Sequence, residues 1–241
     1  MLNIDQQGLV VDKRVIKAIS PAIERGPMNV VSGLIVHQTG GATAQSSLDS
    51  YKRVAANGAH FLIDKDGTIY QTASVKKQAW HIGKLKSRCM LEARCSVAEK
   101  KLNAKFNPSL ENKREMKKSV PDRFPSNKDA IGIELVGEAL PRGAAIPEEK
   151  KTYEAVTDAQ NEALSWLVRE LKVTLKLPVT ECFGTQPFPE KIHQKRAQQN
   201  GEKTIFAART SSRGKCFFRE RRLRKGLRVR TAAVPYSVVE N

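Results

Sequence analysis

Three histidines and one glutamate carry the side chains best suited to chemistry in this 241-residue chain. His37 follows the apolar run 30–36, and Glu134 interrupts a second apolar run, 130–136. An imidazole on a rigid, buried strand can bind a metal or a substrate, although a lone histidine there is more often a core residue with satisfied hydrogen bonds. Partial burial raises the pKa of a carboxyl group, which suits a general base, whereas an acid on the polar side of a strand simply faces solvent.

His60 and His81 are two further candidates. His60 lies inside the apolar segment 59–64, where it either meets a substrate or hydrogen-bonds across the fold, and His81 follows Trp80 in a short loop. An aromatic ring beside an imidazole in a loop can line a cleft. The chain has no HxH or HExxH spacing, so a zinc site would need ligands from distant segments. Catalytic zinc typically uses three protein ligands and leaves one position for water.

Apolar periodicity and turn signals predict the elements that must position these residues. Predicted strands span residues 30–37, 59–64, 68–72 and 130–137, and predicted helices span 46–54, with Ser46 or Ser47 as N-cap, and 153–174. Asp66 and Gly67 predict a hairpin turn. Residues 84–128 are rich in Lys, Arg, Asn and Pro, which predicts a long loop or insertion; we call them the basic insertion. This order predicts a mixed α/β fold, with a central mixed β-sheet flanked by helices.

Charge divides the chain into two parts. Within a net charge of +17, residues 1–181 carry 28 Lys and Arg against 21 Asp and Glu, whereas residues 182–241 carry 14 against 4. We therefore predict one folded domain over residues 1–181 and an irregular, disordered basic tail over 182–241. The chain has no run of 18 apolar residues, and its first residues lack a basic segment leading into an apolar one. We expect neither a membrane span nor a secretory signal.

The four cysteines, at positions 89, 95, 182 and 216, lack the CxxC spacing of a zinc ribbon. Cys89 and Cys95 could pair across a short loop, but two reduced thiols are expected. Cysteine usage therefore predicts neither a metal site nor a disulfide framework.

Four ordered motifs resemble those of the zinc-dependent N-acetylmuramoyl-L-alanine amidases of the type 2, peptidoglycan-recognition-protein-like family. They are VHQTGG, GAHFLIDKDGTIYQ, AWHIG and DAIGIELVG, and the resemblance covers residues 28–175. It implies a peptidoglycan-recognition-protein/amidase-like fold, with His37 as a zinc ligand and Glu134 as the catalytic acid–base residue. Some members of that family have a Tyr at the position of Ala59, and others use a Glu that matches Glu134. Residues expected to bind substrate are Thr39, His60, Trp80 and His81.

The resemblance also implies a reaction. Zinc would lower the pKa of its bound water and polarise the amide carbonyl that joins the lactyl group of muramic acid to L-alanine. Glu134 would take a proton from that water and deliver it to the leaving amine. Peptidoglycan or a muropeptide is the expected partner, and a non-catalytic muropeptide-binding module is the alternative. A cytoplasmic recycling enzyme, a phage lysin and an effector exported without a signal peptide, with an immunity protein as a further partner, all stay open.

The chain departs from the family after residue 180. The family places a His-Pro segment and a third ligand after its long helix, whereas this chain contains only His193, without a following Pro. One interpretation is a genuine basic tail that binds nucleic acid or an anionic surface, although it lacks aromatics interleaved on a basic face. The other is a shifted reading frame, because permitted codons read one frame away after Glu181 give VLRHPAVSRKNPPEASTAKW. We predict the second, and with it weak or absent zinc binding, much reduced or absent amidase activity and no nucleic-acid partner.

Overall fold

The computed structural model describes residues 1–142, 146 and 151–184, together with the backbone of residues 205–210 and 216–221. Its strands are β1 (Val15–Lys17), β2 (Glu24–Pro27), β3 (Gly33–Gly40), β4 (Phe61–Ile63), β5 (Ile69–Gln71), β6 (Lys77–Ala79), β7 (Ala130–Leu140), β8 (Thr152–Tyr153), β9 (Cys182–Gly184), β10 (Ile205–Thr210) and β11 (Cys216–Arg221). Its helices are α1 (Ala44–Tyr51), α2 (Arg88–Leu91), α3 (Val97–Leu102), α4 (Pro108–Glu115) and α5 (Asp158–Thr174).

A seven-stranded sheet of order β1-β5-β4-β7-β3-β9, with β8 on β7, forms the centre of the molecule. Strands β3, β4, β7 and β9 run parallel, and β5 turns back antiparallel to β4. The turn between β4 and β5 contains Gly67, whose φ of 88° favours glycine. The predicted mixed α/β fold with a central mixed sheet flanked by helices is confirmed, as is the predicted hairpin.

Helix α5 covers one face of this sheet. Alternate residues of β3 and β7, including Leu34, Val36 and Ile133, pack there against Leu167 and Leu171. The helix begins at Asp158, later than predicted, because Thr157 and Gln160 form a capping box that fixes its first turn. The buried contacts of α5 leave the other residues of β3 and β7, among them His37 and Glu134, on the opposite face.

The basic insertion and α1 lie over that opposite face. Ile82, Leu85 and Phe124 pack against Ile35 and Ala130. The basic insertion is not one long loop, since it contains α2, α3 and α4. Helices α3 and α4 have six and eight residues, which is too short for apolar periodicity to reveal them. Their N-caps, Ser96 and Asn107, are the available sequence signals.

Three local predictions need correction. Strand β3 runs to Gly40, so His37 lies inside the strand and not at its end. Helix α1 begins at Ala44 because the Thr43 side chain, and not Ser46 or Ser47, caps it. Cys89 and Cys95 form a disulfide, so the expectation of two reduced thiols is wrong.

The basic insertion is joined to the last strand of the sheet by a buried ion pair. Arg88 makes two hydrogen bonds, of 2.8 and 3.1 Å, to the carboxylate of Glu181, the residue before β9. Strand β9 then pairs with β3 and includes residues 182–184 of the predicted tail. Further along, β10 and β11 form an antiparallel pair. The other residues of the predicted tail lie outside the described part of the chain, as does His193.

Within the described residues, no helix is both long enough and apolar enough to cross a bilayer.

Candidate active site

The pairing of β3 with β7 places His37 beside Glu134. These two residues are direct partners in the parallel register of the two strands, so their side chains leave the sheet on the same face. His37 is 5% exposed, and Glu134 is half-buried. The structure therefore brings together the two residues on which the predicted chemistry depends.

His81 joins them from the loop after β6. Its Nδ1 lies 2.9 Å from Nε2 of His37, and its ring lies over Gly132 of β7. A Cβ at position 132 would come within 2.6 Å of His81 Cγ and Nδ1. Glycine is therefore required in the IGIE segment because it makes room for the imidazole that contacts His37.

Asn127 holds His81 in this position. Its Oδ1 accepts hydrogen bonds from the backbone N–H groups of His81 (3.0 Å) and Ile82 (2.8 Å), and its Nδ2 donates to the carbonyl of Ile82. Asn127 could not be identified from the sequence, because nothing near it indicates that it reaches the AWHIG loop. It is a positioning residue that acts through His81.

His60 is fully buried, and the backbone uses both of its ring nitrogens. Nδ1 accepts a hydrogen bond from Gly132 N–H at 3.0 Å, so Nε2 carries the proton and donates to the carbonyl of Lys77 at 2.9 Å. Its ring also makes an edge contact with His81. His60 therefore packs against Gly132 and His81, and no part of its side chain is exposed to a ligand.

Burial keeps the three imidazoles neutral. It lowers the pKa values of His37 and His60 to about 4. The pKa of His81 is lowered well below its usual value by burial, and then by the neighbouring His37 and His60. Neutral imidazoles can accept a proton or bind a metal, which protonated ones cannot do.

Tyr51 is a site residue that sequence analysis missed. Its hydroxyl donates a 2.5 Å hydrogen bond to Oε2 of Glu134, from the last residue of α1. Burial raises the pKa of Glu134, and the hydrogen bond from Tyr51 partly offsets that rise. The pKa of Tyr51 is itself raised well above its usual value by burial, the Glu134 charge and this hydrogen bond. The tyrosine thus stays protonated and orients the carboxylate.

The remaining predicted substrate contacts, Thr39 and Trp80, lie at the border of the site. The Thr39 hydroxyl accepts from the backbone N–H groups of Gly41 and Gly137, which ties the end of β3 to β7. Trp80 is 51% exposed beside His81, and the guanidinium of Arg25 lies 5.1 Å from its ring centroid. Of the two, only the Trp80 ring offers a large open surface.

A catalytic zinc ion requires three protein ligands, and the described residues do not supply them. His37 Nε2 and His81 Nδ1 lie 2.9 Å apart and share one proton in a hydrogen bond, so this contact offers a metal at most one of the two lone pairs. The cluster of Cys89, Cys95 and Glu99 is no substitute, because both sulfur atoms are in the disulfide. The described residues therefore fit an incomplete zinc centre.

Several solved structures resemble this chain at low sequence identity. No curated protein matches the chain. Among solved structures, a selenomethionine AmpD derivative is 19% identical in sequence. The match covers 78% of this chain and 93% of that chain, with a TM-score of 0.43. The catalytic domain of XlyA is 16% identical, with 70% of this chain and 82% of that chain covered and a TM-score of 0.39. PGRP-Hd from Alvinella pompejana is 13% identical, with 72% of this chain and 86% of that chain covered and a TM-score of 0.39. Similarity at this level carries no functional argument by itself.

The family comparison is decisive because it covers most of the chain. Residues 27–204 match the profile of Amidase_2, N-acetylmuramoyl-L-alanine amidase. That range contains the site residues His37, Tyr51, His81 and Glu134. The chain belongs to the Amidase_2 family of N-acetylmuramoyl-L-alanine amidases.

Proposed function

We propose that this chain carries the site for hydrolysing the amide bond between the lactyl group of muramic acid and L-alanine in peptidoglycan. The observation that supports it most is the pair His37–Glu134, held on one sheet face by the β3–β7 register. Peptidoglycan or a muropeptide is the proposed partner. An immunity protein belongs to the proposal only if the chain is exported as an effector.

Glu134 is the proposed general base. Its raised pKa increases its affinity for the proton of an attacking water, and the same proton can then pass to the leaving amine. Tyr51 holds the carboxylate by one oxygen, which leaves the other free to face the water. Trp80, Thr39 and His81 are the proposed substrate contacts, with Trp80 offering its ring to the sugar or peptide.

We further propose that this chain binds zinc weakly. His37 is the proposed ligand, supported by its low pKa and its contact with His81. The sequence beyond residue 181 contains no His-Pro segment, and a frameshifted tail would account for that loss. Restoring the frame would return the histidine and the acidic ligand that the family places there.

The experiment compares the 241-residue protein with a frame-restored version, each with stoichiometric zinc, on purified peptidoglycan. Mass spectrometry measures released peptide, and equilibrium dialysis measures bound zinc. We expect release and tight zinc binding only for the frame-restored protein, and a loss of at least about 100-fold in its Glu134→Gln variant. Peptide release by the 241-residue protein at the full rate would contradict the proposal that this chain binds zinc weakly. A frame-restored protein that releases no peptide would contradict the amidase proposal.

The incomplete zinc centre also favours a second candidate, a module that binds muropeptides without cleaving them. A pull-down of the 241-residue protein on purified cell wall, with no released peptide, is the expected result for such a module. Substitution of Trp80 by Ala should then weaken retention, whereas Val54→Ala, at a 97% exposed position away from these residues in the sequence, should not.

A further inference from the structure

The basic insertion carries all of the positive excess of residues 1–181. It contains 13 Lys and Arg against 5 Asp and Glu, a net charge of +8. The rest of residues 1–181 contains 15 against 16, a net charge of −1. An even distribution would have indicated general solubility, whereas this concentration indicates an interaction surface.

Ion pairs neutralise only part of this charge, since Arg88 and Arg123 pair with Glu181 and Asp129, which lie outside the basic insertion. Lys118 pairs with Glu99 and Glu115, and Arg94 pairs with Glu92. These three carboxylates therefore do not neutralise the other lysines of the basic insertion. Seven lysines of the basic insertion are exposed and make no salt bridge with any described residue, and five of them belong to the segment 100–117: Lys100, Lys101, Lys105, Lys113 and Lys117. All five lie in α3, in α4 or directly beside these helices.

Large apolar side chains are exposed among these lysines. Phe106, in the loop between α3 and α4, is 91% exposed. Leu102, the last residue of α3, is 59% exposed, and Leu110, in the first turn of α4, is 48% exposed. We call these three residues the apolar tip. A single exposed apolar residue needs no explanation. Three exposed apolar residues in one nine-residue stretch of a lysine-rich segment do need one.

The segment that bears the apolar tip is held in place by its polar contacts. Asn112 of α4 accepts a hydrogen bond from the backbone of Leu85, and Glu111 accepts one from that of Ser87. Arg114 donates to the side chain of Asn103, which joins α4 to the end of α3. The apolar tip is thus presented by an ordered support, so that binding need not order it first.

We propose that the basic insertion binds the surface of an anionic phospholipid bilayer. Such a bilayer offers negative headgroups to the five lysines and an apolar layer to Phe106 and the two leucines. A nucleic acid or an anionic wall polymer would match the lysines but would leave the aliphatic Leu102 and Leu110 in water. This surface does not depend on the proposed function, because it lies outside the His37–Glu134 site and acts without turnover.

The test is flotation of the 241-residue protein with phosphatidylcholine vesicles, with and without about 30% phosphatidylglycerol. We expect binding to the anionic vesicles only. Phe106→Ser should weaken the partition constant about tenfold, because it removes the apolar contact. The triple variant Lys100→Gln, Lys101→Gln, Lys105→Gln should weaken it about 100-fold, at about fivefold for each lysine.

Two matched controls separate this surface from general charge effects. Val54→Ser removes another exposed apolar side chain, and Arg221→Gln, Arg222→Gln, Arg224→Gln removes three charges from the tail. We expect each control to retain most of the binding and each variant to keep the melting temperature of the parent. Equal losses in the two triple variants, unchanged binding of Phe106→Ser, or DNA binding as tight as vesicle binding would each overturn the proposal.

Discussion

The His81 ring lies directly on Gly132, with its Cγ and Nδ1 within 2.6 Å of where a Cβ would be. Gly132 in turn donates its N–H to His60, so one glycine is packed between two imidazoles. The third imidazole, His37, is reached through His81. The geometry of the site therefore depends on the absence of a side chain at this position.

Gly132→Ala should displace His81 and break its contact with His37. The added methyl group meets a ring held by Asn127, so we expect a loss of about 1–3 kcal/mol in the free energy of unfolding. Urea denaturation measures this loss, and NMR of the imidazole protons detects the displaced ring. Gly26→Ala is the matched control, because the nearest atom to its Cβ is 3.9 Å away. Unchanged imidazole signals in Gly132→Ala would contradict the packing described.

Tyr51→Phe should raise the pKa of Glu134. The hydroxyl of Tyr51 stabilises the charged carboxylate, so its removal favours the protonated form. We also expect a loss of about 1–3 kcal/mol in stability, since a buried acceptor loses its partner. Carbon NMR of the Glu134 carboxyl group measures the pKa. Tyr70→Phe is the control, because the Tyr70 hydroxyl has no hydrogen-bond partner among the described residues; an equal shift there would refute the role of Tyr51.

His60 should make the fold sensitive to acid. Its pKa is about 4 in the folded protein and 6.5 when exposed, so below pH 6.5 the unfolded chain binds the additional proton. The corresponding stability, about 3 kcal/mol, is present above pH 6.5 and is lost as the pH falls towards 4. The lowered pKa values of His37 and His81 act in the same direction, so we expect urea midpoints to fall between about pH 7 and pH 5. Asp12→Asn should not alter that slope, because the pKa of Asp12 is about 2; a flat profile would be evidence against a neutral, buried His60.

Arg88→Met should destabilise the fold strongly, because it leaves the Glu181 carboxylate buried without its partner. Loss of one member of such a pair costs about 3–5 kcal/mol. Arg94→Met, which removes an exposed pair with Glu92, should cost less than about 1 kcal/mol. Urea denaturation compares the two, and the double variant Arg88→Met, Glu181→Met should recover part of the loss. Equal effects of Arg88→Met and Arg94→Met would show that the buried pair is unimportant.

The regular elements could be predicted because their apolar residues repeat at fixed intervals. The buried face of α5, the run ending at His37 and the run around Glu134 all have this property, and the Asp66–Gly67 turn joins β4 to β5 as expected. His37 and Glu134 could be identified because each is a polar residue in an apolar strand. Their adjacency follows only from the β3–β7 register, which neither strand specifies alone.

Contacts between distant segments could not be predicted in the same way. Tyr51 lies in a predicted helix, but periodicity does not show that its hydroxyl reaches Glu134. The role of Gly132 depends on the His81 loop above it, and that of Asn127 on two backbone amides far away in sequence. The Cys89–Cys95 disulfide could not be predicted either, because spacing alone does not decide between a bond and two thiols.

The parallel register between β3 and β7 has a consequence for how the length of this protein can vary. A single residue inserted into either strand would turn His37 or Glu134 towards α5 and separate the two groups by the thickness of the sheet. The connection between the strands faces no such limit, since it already contains the whole of the basic insertion. Related chains should therefore differ freely in the length of that connection while keeping the number of residues within each strand.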